Sequence, residues 1–338
     1  MKAAPVLRAL AGRGARQTLV HTGQHYDANM SDVFFTELGM AAPDVNLEVG
    51  SGSHAAQTAE VMMRIERELI ERKPDLVLVY GDVNSTMAAA LVCSKLSIRV
   101  GHVEAGLRSF DRTMPEEINR LVTDQLADVL FTPSEDGDAN LRREGVAGEK
   151  IHRVGNVMID TLVRLLPAAE KMNGMPDRYA LVTLHRPSNV DSGERLRKIF
   201  RALQQIGKEV EVVFPVHPRT RQRLLENGMG DGGGLRLLGP LPYIEFLALQ
   251  KQATVVITDS GGVQEETTFL QVPCLTLRTT TERPVTVSMG SNVLVGEDLE
   301  RLKTEAARVL SGQGKRGGIP ALWDGRAAER VAAVVMKG

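Results

Sequence analysis

Cysteine is nearly missing from this sequence: only Cys93 and Cys274 occur in 338 residues, each inside an apolar stretch. A disulfide framework is thereby excluded, and two buried free thiols in a reducing cytoplasm are expected. Neither sign of charge is in excess, since 41 basic residues face 42 acidic ones, so nothing favours a nucleic-acid or membrane partner. Long apolar runs are also missing. The longest are strand-length, against the roughly 20 residues that a membrane-crossing helix needs. The opening "MKAAPVLRAL" has helical spacing and lacks the apolar core of a signal peptide. No His or Cys cluster has ligand spacing, so no metal is expected. A dinucleotide fingerprint is absent as well. The Gly-x-Gly of "AGRGARQ" follows a helical pattern, which helix termination explains, and the glycines of "NGMGDGGGLRLL" precede their strand as a flexible loop. No nicotinamide or other cofactor is expected.

What is present is alternation. "QTLVHTG", "DLVLVYGD", "IRVGHVEAG" and "DVLFTPS" read as apolar strands ended by polar turns. Between them lie helical patterns such as "SHAAQTAEVMMRIERELIERK". A second strand set follows: "YALVTLH", "VEVVFPVH", "LRLLG", "TVVITDSG" and "VPCLTLR". The fold class is α/β, with two doubly wound Rossmann-like domains facing a cleft. Their expected extents are 1–165 and 166–322, with the break in "LLPAAEKMNGMPDR". Residues 323–338 form an amphipathic helix expected to pack back on the first domain. Ligands of such folds bind at the carboxyl ends of strands, so the turns there are where function is sought.

In "VVITDSGGVQEE" a strand ends at Asp259, and Ser260, Gly261 and Gly262 form the turn into a helix. Glycines let a ligand approach the backbone, and the first-turn amides favour an anion such as phosphate. One turn on, a carboxylate can accept both hydroxyls of a ribose. The alternative is that Asp259 or Ser260 caps the helix and that Glu265 and Glu266 merely suit its dipole. In "LRTTTERP", Arg283 can supply a cation to a diphosphate or be a solvated surface residue. "VTLHRPSNVD" and "FPVHPRT" end strands with His185–Arg186 and with His217 and Arg219. In the first half, "LVYGDVNST" places Asp82 at a strand end, "GHVEAGLR" places His102 and Glu104, and "MPEEINR" opens a helix with Glu116 and Glu117. Asp82, Glu104 and Glu116 converging on one cleft suit proton removal and delivery on the two faces of a sugar. A helix-dipole role after Pro115 is the alternative for Glu116.

Together these motifs resemble the non-hydrolysing bacterial UDP-N-acetylglucosamine 2-epimerase family. "TGQHYD", "VYGDVNSTMAAAL", "GHVEAGLRSFDRTMPEEINR", "GNVMIDTL", "VTLHRPSNVD", "PVHPR", "TDSGGVQEE" and "TTERP" come in the family's order, from about residue 2 to the end. The resemblance implies a glycosyltransferase-B-like fold, a cytoplasmic homodimer, and UDP held mainly by the C-terminal domain. It implies interconversion of UDP-GlcNAc and UDP-ManNAc through 2-acetamidoglucal, supplying ManNAc for surface polysaccharides. By the same resemblance Ser260 and the Gly261–Gly262 backbone bind the diphosphate, Glu266 holds the ribose and Phe246 packs near uracil. Arg283 and His185 lie against the phosphates and sugar, and Asp82, Glu104 and Glu116 share the proton chemistry, with none singled out as the base. Lys2 matches the family's lysine.

One departure is expected to matter. Family members open with a strand ending in a Gly-Thr-Arg-Pro-Glu turn, and this chain aligns from the residues after it. The expectation is a late start that leaves two neighbouring strands with unpaired backbone groups, at about 1–3 kcal/mol each if buried, and an impaired enzyme. Competing readings are a hydrolysing relative that releases ManNAc and UDP, and a non-catalytic UDP-sugar-binding protein. A glycosyltransferase on the same architecture is disfavoured by the carboxylates of "HVEAGLR" and "PEE".

Overall fold

The computed structural model describes residues 1–23, 35, 37–172, 174, 176–226 and 228–337. Most of "TGQHYD", from Gln24 on, and the Arg219 side chain lie outside the described residues. The chain divides into two compact units, the first of residues 1–161 and 321–338, the second of residues 162–320.

Unit 1 runs α1 (Ala3–Ala11), β1 (Val20–His21), β2 (Val45–Asn46), α2 (His54–Arg72), β3 (Leu76–Tyr80), α3 (Asn84–Lys95), β4 (Arg99–Val103), α4 (Pro115–Leu126), β5 (Val129–Thr132), α5 (Glu135–Arg143) and β6 (Ile151–Arg153). Helix α6 (Val157–Ala169) leads into unit 2. Strands β3-β4-β5-β6 form a parallel sheet in that order, while β1 and β2 pair separately. The stretch "QTLVHTG" thus yields only two strand residues, because its ladder rests on a two-residue partner. Apolar side chains cover both faces of the larger sheet. On one face Ile65 and Leu69 of α2 pack with Val79 and Val100; on the other Val6 and Leu10 of α1 pack with Val103 and Val129.

Unit 2 runs β7 (Tyr179–Thr183), α7 (Pro187–Val190), α8 (Gly193–Ile206), β8 (Glu211–Pro215), α9 (Pro218–Glu226), β9 (Leu235–Leu238), α10 (Tyr243–Gln252), β10 (Val255–Thr258), α11 (Gly261–Leu270), β11 (Cys274–Thr276), α12 (Pro284–Ser288), β12 (Asn292–Leu294) and α13 (Leu299–Leu310). Its parallel sheet has the order β12-β11-β10-β7-β8-β9. The chain therefore begins in the middle, builds outward to one side and then to the other. The order reverses between β7 and β10, whose carboxyl ends lie side by side in register from Ala180–Val255 to Thr183–Thr258. A crevice at such a reversal is the usual ligand position in open α/β sheets. The strands are apolar on both faces, as covered parallel strands must be. The stripe Leu196, Ile199, Phe200, Leu203 and Ile206 of α8 covers one face, and the Ser192 hydroxyl caps that helix.

After unit 2 the chain returns to unit 1 as α14 (Ala327–Val335). Val331 and Ala332 pack on the α1 side of the core. Asp160 accepts the amides of Ala327 (3.0 Å) and Ala328 (2.6 Å), and so supplies the first turn of α14 with the acceptors it lacks. The only tryptophan, Trp323, is buried in the same unit and donates to the Pro133 carbonyl at 2.9 Å. Both cysteines are buried and free. Among the described residues no helix is long and apolar enough to cross a membrane.

Candidate active site

In unit 1 the polar residues gather where β3 and β4 end. Gly81 follows β3 with φ +69°, and its amide donates to the Val103 carbonyl at 3.1 Å. A Cβ here would stand 2.7 Å from Lys2 Nζ, so the position takes glycine for space as well as for conformation. The Lys2 ammonium pairs with Glu104 Oε2 at 2.6 Å. Glu104 is buried just beyond β4 and has φ +76°, a left-handed conformation uncommon for a glutamate. The Phe131 carbonyl stabilises that bend by accepting the amides of both Glu104 and Ala105. Strain of this kind collects at functional positions.

Asp82, next to Gly81, pairs with the buried Arg120 Nη1. Arg120 also pairs with Glu117 at 2.7 Å, and Glu117 accepts the amides of Ser109 and Phe110 at 2.9 Å each. Burial pushes the Glu117 carboxyl up, but the Ser109 amide and the Arg120 guanidinium outweigh it and hold the group below the usual carboxylate range. Glu116 occupies the first turn of α4, half-buried, and among the described residues it makes no hydrogen bond or ion pair. Of the two adjacent glutamates, Glu117 is the one tied into the structure by hydrogen bonds and an ion pair. Beneath them His102 is fully buried, one ring nitrogen 2.6 Å from Asp124 Oδ1 and the other 2.8 Å from the Gly81 carbonyl. Asp124 also meets Arg108 at 2.7 Å, and Arg108 meets Glu144 at 2.6 Å. This chain of charges locks the ends of β3 and β4 together.

In unit 2 the polar residues gather at the β7/β10 reversal. Asp259 is fully buried and accepts the amides of His185 (3.0 Å) and Arg186 (3.0 Å), Asn189 Nδ2 (3.1 Å) and His185 Nδ1 (2.9 Å). Burial pushes its carboxyl up, yet His185 and Asn189 outweigh this and hold it below the usual range. The capping alternative for Asp259 is thus corrected: its acceptors are spent on the turn after β7. Ser260 stands at the cap position of α11 without a side-chain capping bond.

Arg283 is buried, not solvated, which corrects the surface alternative. Its Nε lies 3.0 Å from Glu265 and its Nη1 meets Glu282, which also pairs with Arg278 at 2.6 Å and Arg186 at 3.8 Å. Despite burial, Arg283 and then Arg278 hold the Glu282 carboxyl well below the usual range. Three guanidinium groups, those of Arg186, Arg278 and Arg283, thus gather with Glu265 and Glu282 beside the start of α11. That is an arrangement for an anion. Gly261 belongs to it, since a Cβ there would stand 2.4 Å from Arg283 Nη1.

On the next turn of α11, Glu266 is buried and accepts the Tyr243 hydroxyl at 2.8 Å. Burial pushes its carboxyl up to about 7 in spite of Tyr243. Phe246, one turn after Tyr243 on α10, packs half-buried against the apolar cluster that includes Leu249 and Val263. The structure therefore groups Lys2, Asp82 and Glu104, with Glu116 on the neighbouring helix. Separately it groups His185, Ser260, Gly261, Gly262, Glu266, Arg283 and Phe246. His217 is exposed, two residues beyond the end of β8. Sequence reasoning missed Arg120, Asp124, Asn189, Tyr243 and Glu282. Only Glu282, beside Arg283 in "TTERP", carried a local signal. No group of His, Cys, Asp and Glu among the described residues is arranged to hold a metal ion.

The family model for UDP-N-acetylglucosamine 2-epimerase matches residues 8–336. A UDP-N-acetylglucosamine 2-epimerase of Methanococcus maripaludis is 45% identical over 325 residues, covering 92% of this chain and 88% of the relative. The UDP-2,3-diacetamido-2,3-dideoxy-D-glucuronate 2-epimerase of Pseudomonas aeruginosa is 42% identical, with 95% and 91% covered. The crystal structure of the Methanocaldococcus jannaschii UDP-GlcNAc 2-epimerase in complex with UDP-GlcNAc and UDP superposes with a TM-score of 0.91. It is 43% identical over 100% of this chain and 96% of that one.

Proposed function

This chain belongs to the UDP-N-acetylglucosamine 2-epimerase family, and from that premise we propose that it interconverts UDP-GlcNAc and UDP-ManNAc without net hydrolysis. The observation that carries the reading is the pair of clusters in one chain. One is an anion-binding helix start with a buried arginine; the other is a buried carboxylate–lysine pair on a strained turn. Unit 2 holds UDP: the α11 amides, Ser260 and Arg283 take the diphosphate, Glu266 takes the ribose and Phe246 lies by the base. Among Asp82, Glu104 and Glu116 we assign Glu104 as the base, because it is held rigidly beside a cation. The sugar's C1–O bond breaks, UDP leaves with the bonding pair, and the C2 proton passes to Glu104 as the C1–C2 double bond forms. Glu116, which makes no hydrogen bond or ion pair among the described residues, delivers a proton to the opposite face of C2 while a UDP oxygen re-forms the bond to C1. A homodimer in the cytoplasm, feeding ManNAc to surface polysaccharides, completes the reading.

Proton NMR of the purified chain with UDP-GlcNAc in deuterated water tests it. Deuterium at C2 with UDP-ManNAc growing in is the expected result. Free UDP accumulating in step with ManNAc identifies a hydrolase instead, and UDP binding without exchange identifies a non-catalytic binder. A parallel incubation with the 2,3-diacetamido glucuronate sugar decides between the two sugars on which the relatives act.

Glu266 gives a prediction that opposes stability to binding. Its carboxyl ionises near 4.5 when unfolded and near 7 when folded, so the ligand-free protein loses stability as pH rises between those values and is level above them. The loss is on the order of 3 kcal/mol. Glu266→Gln keeps an acceptor for Tyr243 but has no charge to bury. It is expected to melt above the parent at pH 8 by calorimetry, while binding UDP about tenfold more weakly by titration, because a charged acceptor for the ribose is lost.

A further inference from the structure

Gln264, Glu265 and Glu266 follow one another on α11, and steps of about 100° send them to three different places. Glu266 meets Tyr243, and Glu265 meets the Arg283 guanidinium. Gln264 turns instead to the loop before α12. It is fully buried, and its Oε1 accepts two hydrogen bonds, from Thr281 Oγ1 at 2.7 Å and from Asn292 Nδ2 at 3.1 Å. We infer that Gln264 is a positioning residue for the diphosphate, which acts through Thr281 and Asn292 to fix the backbone of Arg283 against α11. The inference rests on the assignment of UDP to this site.

The bonds close into a ring. The Arg283 amide donates to Thr281 Oγ1 at 3.1 Å, and that hydroxyl gives its one proton to Gln264. The Arg283 carbonyl accepts Thr286 Oγ1 at 2.8 Å, and that oxygen in turn accepts Asn292 Nδ2 at 3.2 Å. The other Nδ2 hydrogen goes to Gln264 and completes the circuit, while Thr276 Oγ1 donates to Asn292 Oδ1 at 2.6 Å. Both backbone groups of Arg283 are therefore engaged, and each hydroxyl donates once and accepts once. The sense of the ring is fixed as well. Turning the Gln264 amide over would set its NH2 against the Asn292 NH2 and leave a buried hydrogen without an acceptor. Gln264 Nε2 meets no acceptor among the described residues, so the side chain is held by its oxygen.

What else hangs on α11 gives the ring its bearing on an anion. The Gln264 amide donates to the Ser260 carbonyl at 3.3 Å, so Gln264 closes the helical turn whose first amides are assigned to the diphosphate. Arg283 stands at the cap of α12 with φ −123° and ψ 62°, outside regular helix or strand. Its place is therefore set by its bonds. Glu265 and Glu282 hold its guanidinium, and the ring through Gln264 holds its backbone. One helix thus fixes the spacing between the amides and the cation of the anion site. Thr281, whose proton is engaged by Gln264, acts through Arg283 and not on the phosphates.

Gln264→Met keeps length and removes the acceptor, and Thr281→Val keeps shape and removes the hydroxyl. Both are tested in the full chain by calorimetric titration with UDP and with uridine. Uridine has no phosphate, so its affinity reports the ribose and base positions alone. Each variant is expected to bind UDP about 10–100-fold more weakly, and uridine within about twofold of the parent. The double variant is expected to lose no more than Gln264→Met alone, because both changes break one ring. Thr281→Ser, which restores the hydroxyl, is expected to recover UDP affinity to within about threefold. Thr281 is only half-buried, so its variants carry the test if Gln264→Met does not fold. A Thr281→Val protein that keeps the parent's preference for UDP over uridine overturns the inference and leaves the UDP site standing. Equal losses for UDP and uridine also overturn it, since the ring would then serve the fold alone. A parent with no preference for UDP over uridine removes the UDP site itself, and the inference with it.

Discussion

Replacing Glu104 with glutamine is expected to lower kcat for epimerisation by about 10²–10⁴-fold, the range over which a positioned acid–base group acts. UDP affinity should be unchanged, because the residues assigned to UDP are all on unit 2. The substitution preserves shape, and the amide oxygen still meets the Lys2 ammonium, so the turn after β4 keeps its support from Phe131. What is lost is the capacity to take a proton. Deuterium incorporation at C2 should fall in step with turnover. If Glu104→Gln exchanged the C2 proton at the parental rate while turnover fell, the base would lie elsewhere and Glu104 would serve re-addition. The comparison variant is Glu116→Gln, for which proton delivery to one face should fail and exchange should become unequal between the two substrate sugars.

Asp259→Ala carries the largest expected loss of stability. The aspartate is the acceptor for the His185 amide, the Arg186 amide and Asn189 Nδ2, all at the reversal between β7 and β10. Alanine leaves these donors with no carboxylate in a buried setting, at about 1–3 kcal/mol for each left unsatisfied. A total of roughly 3–5 kcal/mol is expected, enough to lower the Tm of unit 2 by about 10 °C. The pH dependence separates this from simple cavity formation. Because the folded Asp259 carboxyl lies below its ordinary value, its stabilisation is present above about pH 4 and is lost as pH falls through the folded value. The parent should therefore lose its advantage over Asp259→Ala on acidification. A constant difference down to pH 3 would refute the carboxylate's role.

The sequence was most legible where an apolar run ends abruptly in polar residues. "TVVITDSG" and "DLVLVYGD" became β10 and β3 because a buried parallel strand must be apolar along its length and its end must turn. Strands of two or three residues, β2, β6 and β12, are too short to show any period and were not anticipated. The site was legible in part. Ser260, Glu266 and Arg283 stand out by position in the sequence, but the partners around them, such as Tyr243 and Glu282, do not. A buried arginine looks like a surface arginine in one dimension. Arg108 finds Glu144 thirty-six residues away, and Arg120 finds Asp82 at thirty-eight. The choice between Glu116 and Glu117 depends on which side of α4 faces the Ser109 turn, and adjacent residues point about 100° apart on a helix.

The packing of α1 against α14 has a consequence for how the protein is made. Synthesis is vectorial, and the helix that completes the core around Val6 and Leu10 is encoded at the far end of the chain. At about 5–20 residues per second, roughly ten to thirty seconds separate the emergence of unit 1's last sheet strand from that of α14. Unit 2 is contiguous in sequence and can close in that interval. Unit 1 meanwhile waits on the ribosome with one side of α1 uncovered, a natural client for chaperones. A premature stop between residues 320 and 327 would release a folded unit 2 attached to an unfinished partner, a species prone to aggregation even though most of its chain has reached the native state.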